Sequence, residues 1–213
     1  MELDHLVSHW KEKGFEEKVI AAFEQVPRQQ FLPPELLSQA YEDRPLPTLR
    51  GQSLSQPTTV MIMSQALETQ KGHKILEVGA GVGFQACVLA ELVGKKGKVF
   101  TTEIIPELVQ AAKKHSAALG YKNVTVLETD GSRGIEAEAP FDRILITAAC
   151  PKIPEPLIKQ IKEQGIIVAP IGTLQEQILV KATKIGHRLE MEFLGPFIFV
   201  PLQGKYGFEE TKS

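Results

Sequence analysis

The sequence predicts an α/β fold: a doubly wound, mostly parallel sheet preceded by N-terminal helices and completed by C-terminal antiparallel strands. Three observations predict it. Short apolar runs alternate with amphipathic segments from residue 58 onward, a glycine-rich turn follows the first run, and after Gln175 the runs continue without helices between them.

The strands read as Lys74 to Val78, Lys98 to Glu103, Val124 to Leu127, Arg143 to Thr147 and Ile166 to Ile171. Helices separate them at Gln85 to Leu92, Pro106 to Leu119 and Glu155 to Ile161, and another runs from Thr58 to about Glu68. Pro106 in a first turn and Gly120 after a last one are ordinary helix limits. Strand, crossover helix, strand requires parallel pairing. Beyond Gln175, strands are expected at Ile178 to Thr183, Leu189 to Phe193 and Phe197 to Leu202.

Upstream, Leu3, Leu6, Val7 and Trp10, then Val19, Ile20 and Phe23, recur at helical spacing, so two short helices joined at Gly14 are expected. Between Pro27 and Pro57, the punctuating Pro33, Pro34, Pro45, Pro47 and Gly51 leave little room for regular structure. Long irregular segments of this kind commonly carry function. The chain is read as one domain: residues 1–57 as helices and an active-site loop, 58–173 as the core, and 174–213 as the late strands.

A chain of 213 residues with 43% hydrophobic content suits one sizeable core. A net charge of −2 gives no positive field for phosphates, so nucleic acid is not an expected partner. Cys87 and Cys150 both lie in apolar runs, which argues against a disulfide framework or a cysteine-rich metal site. With no basic-apolar leader and no run of membrane-spanning length, a soluble, cytoplasmic protein is expected, without membrane partner and acting as a monomer. His5 and His9 stand four apart without an evident third ligand, and Glu209–Glu210 read as a solvated tail.

The run Ile75-Leu76-Glu77-Val78-Gly79-Ala80-Gly81-Val82-Gly83 is a buried strand emptying into a glycine turn and a helix. Such a corner lets the backbone approach a ligand closely. Glu103 ends the next strand, at the separation where a carboxylate meets ribose hydroxyls. The third glycine, Gly83, comes one place too early for the dinucleotide fingerprint, and Phe84 stands where that glycine would be. A pyrophosphate is therefore disfavoured, while Glu77 near the strand end suits a cationic ligand, the sulfonium of S-adenosylmethionine or its ammonium group. After the third strand, Thr129-Asp130-Gly131 places a carboxylate for the adenine amine and a glycine beside it for the ring. The expected fold is a Rossmann-like methyltransferase sheet with no metal.

Further segments resemble the protein-L-isoaspartate O-methyltransferase family over almost the whole chain. They are Val26-Pro27-Arg28-Gln29-Gln30-Phe31, Ala40-Tyr41-Glu42-Asp43 with Pro45-Leu46-Pro47, and Gly51-Gln52-Ser53-Leu54-Ser55-Gln56-Pro57. Ala139-Pro140-Phe141-Asp142, Ala148-Ala149, Pro170-Ile171-Gly172 and Phe199-Val200-Pro201-Leu202 follow in order. The resemblance implies Ser55 as the active-site serine, with Ser53, Leu54 and Gln56 beside it between cofactor and substrate. It implies cofactor contacts at Gly79, Ala80, Gly81, Gly83, Glu103, Ile104, Asp130 and Gly131, and a substrate contact at Val200. Leu49–Arg50, Thr58–Thr59 and Thr129 depart from the family pattern, more on the substrate side than the cofactor side. Arg50 is a candidate attractive charge for a substrate carboxylate.

The implied reaction is methylation of the free α-carboxylate of isoaspartyl residues in damaged proteins and peptides, yielding S-adenosylhomocysteine and opening a route through a succinimide to aspartate. Two alternatives stand beside it: a methyltransferase for another small molecule or carboxylate, and a silent binding module that keeps the fold.

Overall fold

The computed structural model describes residues 3–208; Glu209–Glu210 lie outside the described residues. The N-terminal helices are α1 (Leu3–Glu12) and α2 (Glu17–Glu24), turning at Gly14, and each buries its apolar stripe: Leu6, Val7 and Trp10 on α1, Val19, Ile20 and Phe23 on α2. Residues 27–57 hold short 3-10 turns and one two-residue pairing, β1 (Leu46–Pro47) with β2 (Ser53–Leu54). The prolines there leave too few backbone donors for longer elements.

The helix α3 (Pro57–Ala66) leads into β3 (Lys74–Val78), α4 (Phe84–Val93), β4 (Lys98–Glu103), α5 (Pro106–Ala118), β5 (Val124–Glu128), β6 (Phe141–Ile146) and α6 (Glu155–Gln160). The chain closes with β7 (Ile161–Gly172), β8 (Gln177–Ile185) and β9 (Arg188–Phe197). These strands form one seven-stranded sheet in the order β5-β4-β3-β6-β7-β8-β9. Pairings from β5 through β7 are parallel, and β7-β8 and β8-β9 are antiparallel. The expected mixed architecture is present, and β3 sits where the winding reverses, between β4 and β6. Open sheets bind ligands at the carboxyl ends of strands beside such a reversal.

Both faces of the sheet are covered. Ile75, Leu145, Ile166 and Val168 join a cluster with α1 to α4, whereas Leu76, Ile144, Ile146 and Ile167 pack with Leu157 of α6 on the other side. Alternating side chains divide each strand between the two. Helix α4 is buried nearly all round, from Phe84 to Val93, as expected of a helix between the sheet and α2 and α3.

One expected strand is absent. A strand is expected from Phe197 to Leu202, but β9, expected to end at Phe193, runs through Gly195 and Pro196 to Phe197. Proline is tolerated here because β9 is an edge strand, with one side free of ladder bonds. Residues 198–202 are not a strand; they touch Ala149 through a single bridge to Pro201. Strand β7 also begins five residues earlier than expected, at Ile161, because Phe141 pairs with it across a register irregularity.

Candidate active site

Two glycines of the turn meet steric demands that differ. Gly79 has φ +100, and a Cβ there would lie 2.5 Å from Thr147 Oγ1 at the end of β6. Gly83 has φ +94, and its Cβ would meet the Ala112 backbone of α5 at 3.0 Å. The first glycine lets the turn close on β6 and the third lets α5 pack. The N–H groups of Gly79 and Ala80 both donate to the Thr102 carbonyl at 2.9 Å, so the turn is anchored to β4 as well.

A cavity opens over this turn. Its floor includes Gly79, Ala80, Gly81 and Val82; one wall holds Glu103, Ile104 and Ile105, and the end holds Thr129 and Gly131. Glu103 accepts from Gly81 N–H at 2.9 Å through Oε2 and from the N–H groups of Ile104 and Ile105 through Oε1. The carboxylate is thus fixed by three backbone donors with its remaining acceptor capacity toward the cavity. Among the described residues it is the one charged side chain on the cavity lining, with no lysine, arginine or histidine beside it.

The opposite wall is Gln52, Ser53, Leu54 and Ser55, held by the β1-β2 pairing with Leu54 buried beneath. The Ser55 hydroxyl makes no hydrogen bond among the described residues. On the far side of this wall lies a second, open groove, lined by Pro45 to Pro47, Gly51, Gln56, Gly172, Gln177, Ile178 and the segment Pro196 to Val200. Five residues line both spaces: Gln52, Ser53, Ser55, Thr147 and Val200. The cavity and the groove are therefore adjacent, with Ser55 on the wall they share.

Ser53, Leu54, Ser55, Gly79, Ala80, Gly81, Glu103, Ile104, Gly131 and Val200 thus come together around one cavity, and the five other candidates are placed differently. Glu77 points into the sheet's covered face, fully buried, where Thr101 Oγ1 donates to it and Oε1 has no partner. Burial pushes its carboxyl up to about 8, against the Thr101 hydrogen bond and with help from nearby Glu103. It does not line the cavity. Asp130 turns away too: Oδ1 accepts from the N–H and hydroxyl of Ser132, and Oδ2 from Lys205 N–H and Arg133 Nε. Partial burial alone would raise its pKa, but these donors outweigh it and hold the carboxyl below the usual range. With four donors met, it has no lone pair left for an adenine amine, and the adjoining Thr129 and Gly131 face the cavity instead. Gly83 serves helix packing. Gln56 lies on the groove side, donating to Asp43 at 3.0 Å. Arg50, in a left-handed conformation at φ 57, is exposed and paired with Glu107 at the start of α5, so it lines neither space.

Thr147, Gln85 and the segment Pro201 to Gln203 were not anticipated as site residues. A hydroxyl closing a parallel strand beside the reversal was the available signal for Thr147; nothing local marked the other two.

The residues present fit an adenosine carrying a positive sulfur. Glu103 is placed for ribose hydroxyls, the glycine turn leaves backbone accessible, and the absence of any cation on the lining suits a cationic ligand and disfavours a pyrophosphate. Comparisons with known proteins agree. The family model described as protein-L-isoaspartate(D-aspartate) O-methyltransferase matches residues 1–207. Protein-L-isoaspartate O-methyltransferase 2 of Archaeoglobus fulgidus is 45% identical over 203 residues, covering 95% of this chain and 92% of the relative. The protein-L-isoaspartate O-methyltransferase of Methanococcoides burtonii is 44% identical over 198 residues, 93% of this chain and 98% of the relative. A solved protein-L-isoaspartate O-methyltransferase superposes with a TM-score of 0.90 at 29% identity, over 97% of this chain and 67% of that one. By residues, architecture and kinship, the chain belongs to the protein-L-isoaspartate(D-aspartate) O-methyltransferase family.

Proposed function

We propose that this enzyme transfers the methyl group of S-adenosylmethionine to the free α-carboxylate of isoaspartyl residues in damaged proteins and peptides. The observation that carries the reading is the shared wall at Ser55 and Thr147, where the cavity that holds the Glu103 carboxylate adjoins an open groove.

When bound, the cofactor supplies a methyl on a positive sulfur. The protein's residues do the rest by placement. Glu103 and the turn from Gly79 to Val82 hold the nucleoside end, and Gln52 to Ser55 close the space opposite. An α-carboxylate, with a reference pKa of about 3.3 to 3.7, is ionised at neutral pH and needs no general base. No cation lines the groove either, its one charged residue being Glu176, so neutral donors orient the carboxylate and its oxygen keeps its electron density. Ser55 is the first of these donors. Holding nucleophile and methyl in line at about 3 to 3.5 Å supplies on the order of 7 to 11 kcal/mol of effective molarity. Methoxide departs from the ester more readily than oxide from a carboxylate, so the amide nitrogen of the following residue attacks the ester carbonyl, methanol is released, and water reopens the resulting succinimide partly as aspartate.

Among the described residues no helix is long and apolar enough to cross a membrane. The test is a methyl-transfer assay with an isoaspartyl peptide, its normal aspartyl twin and no peptide. Transfer to the isoaspartyl peptide alone is expected; equal transfer to both peptides, or none, would overturn the reading.

A further inference from the structure

Arg28 opens a 3-10 turn, Arg28–Phe31, and is fully buried. Its Nε donates to the Ala40 carbonyl and its Nη2 to the Ser55 carbonyl, each at 2.7 Å. The guanidinium lies over the ring of Phe84, 5.2 Å from its centroid, and Phe84 in turn lines the cofactor cavity. Nη1 is buried without a partner.

This is an expensive arrangement for a purely structural element. Burial lowers the Arg28 pKa to about 9, with Tyr41 and Asp43 opposing the shift. No carboxylate pairs with it: the nearby Asp43 accepts instead from Gln56 Nε2, Thr58 N–H and Thr58 Oγ1. Taking a charge out of water costs roughly several kcal/mol unless its partners offset it, and here the partners are two backbone carbonyls. What an apolar side chain does not supply is the hold on Ser55. Arg28 fixes the Ser55 carbonyl from one side and Asp43 fixes Gln56 and Thr58 from the other, so the peptide after Ser55 is clamped while its hydroxyl stays free at the junction.

We propose that Arg28 is a positioning residue for methyl transfer, its guanidinium aiming the Ser55 hydroxyl at the substrate carboxylate by holding the Ser55 carbonyl. The inference rests on the functional reading of Ser55 given above. Arg28 lines neither the cavity nor the groove, and acts through the Ser55 backbone.

The test is a double-mutant cycle of Arg28→Met and Arg28→Lys with Ser55→Ala, read as kcat and KM for an isoaspartyl peptide, S-adenosylhomocysteine affinity by calorimetry, and thermal melting. Arg28→Met, which leaves the Ala40 and Ser55 carbonyls without this donor, is expected to stay folded with a melting temperature roughly a few degrees below wild type, yet to lose roughly tenfold or more in kcat. Arg28→Lys keeps the charge without the forked geometry and loses kcat similarly. Product affinity stays unchanged in both. In the Ser55→Ala background the Arg28 substitutions cost little more, because the group they aim is gone.

Equal kcat losses in both backgrounds, a parallel loss of S-adenosylhomocysteine affinity, or collapse of folding in both Arg28 variants would overturn the proposal and leave Arg28 a structural residue. Unchanged kcat in Ser55→Ala alone, or a wild-type enzyme inert on the isoaspartyl peptide, would overturn the functional reading itself, and this proposal with it.

Discussion

The Glu103 carboxylate accepts a hydrogen bond from the backbone N–H of Gly81 at 2.9 Å, tying the end of β4 to the glycine turn that follows β3. Nucleoside recognition and turn geometry are thereby one unit. Removing the carboxylate deletes the expected ribose acceptor and frees three backbone donors at once. Glu103→Ala is expected to weaken S-adenosylhomocysteine binding roughly ten- to a hundredfold, the worth of one or two hydrogen bonds to a charged group. Isothermal calorimetry measures it, and a change under twofold would remove Glu103 from the cofactor site.

Ser55 behaves differently because its hydroxyl has no structural bond to lose. Ser55→Ala is expected to lower kcat on an isoaspartyl peptide by roughly tenfold, the value of one positioning hydrogen bond, with cofactor affinity intact. Equal losses of turnover and affinity would refute that division of labour.

Arg50 and Glu107 pair on the surface, and neither lines the groove. Arg50→Ala is accordingly expected to leave the peptide KM unchanged, since no attraction for the substrate carboxylate is lost. A KM that rises severalfold, and more so at low salt, would restore Arg50 as a substrate contact.

The buried Glu77 predicts a pH dependence of stability. Its folded pKa, raised to about 8 by burial, lies above the unfolded value, which is near 4.3 for glutamate. Between those values the folded state holds a proton that the unfolded state has released, so this group makes stability fall as pH rises from about 4.3 toward 8. Glu77→Gln removes the dependence. The variant's melting temperature is expected to gain on the wild type by at least ~2 °C more at pH 8 than at pH 5, about 1 kcal/mol for a chain of this size. A constant difference across that range, by scanning calorimetry, would show that Glu77 does not titrate in the window.

Elements with strong local signals were legible from the residues. The β3 and β4 bounds, the glycine turn, and the proline-limited helix α5 follow from periodicity and turn chemistry within a dozen residues. The strand from Leu189 is expected to end at Phe193, whereas β9 continues through Pro196, which a strand accepts only at an edge, and only the sheet order reveals the edge. Glu77 and Asp130 misled for a related reason. Both stand at strand ends near the cleft, but Thr101 draws one inward, and Ser132, Arg133 and Lys205 occupy the other.

By itself the sequence determined the alternating α/β architecture, a glycine-built nucleoside corner with an acid opposite, and a serine-bearing loop before the core. These are properties of short segments, set by side-chain period and allowed backbone angles. Only the tertiary structure decided which acid faces the ligand, that Thr147 shares the junction with Ser55, and that Arg28 reaches Ser55 across 27 residues of chain. Those outcomes depend on where burial leaves a polar group and which donors arrive from distant segments.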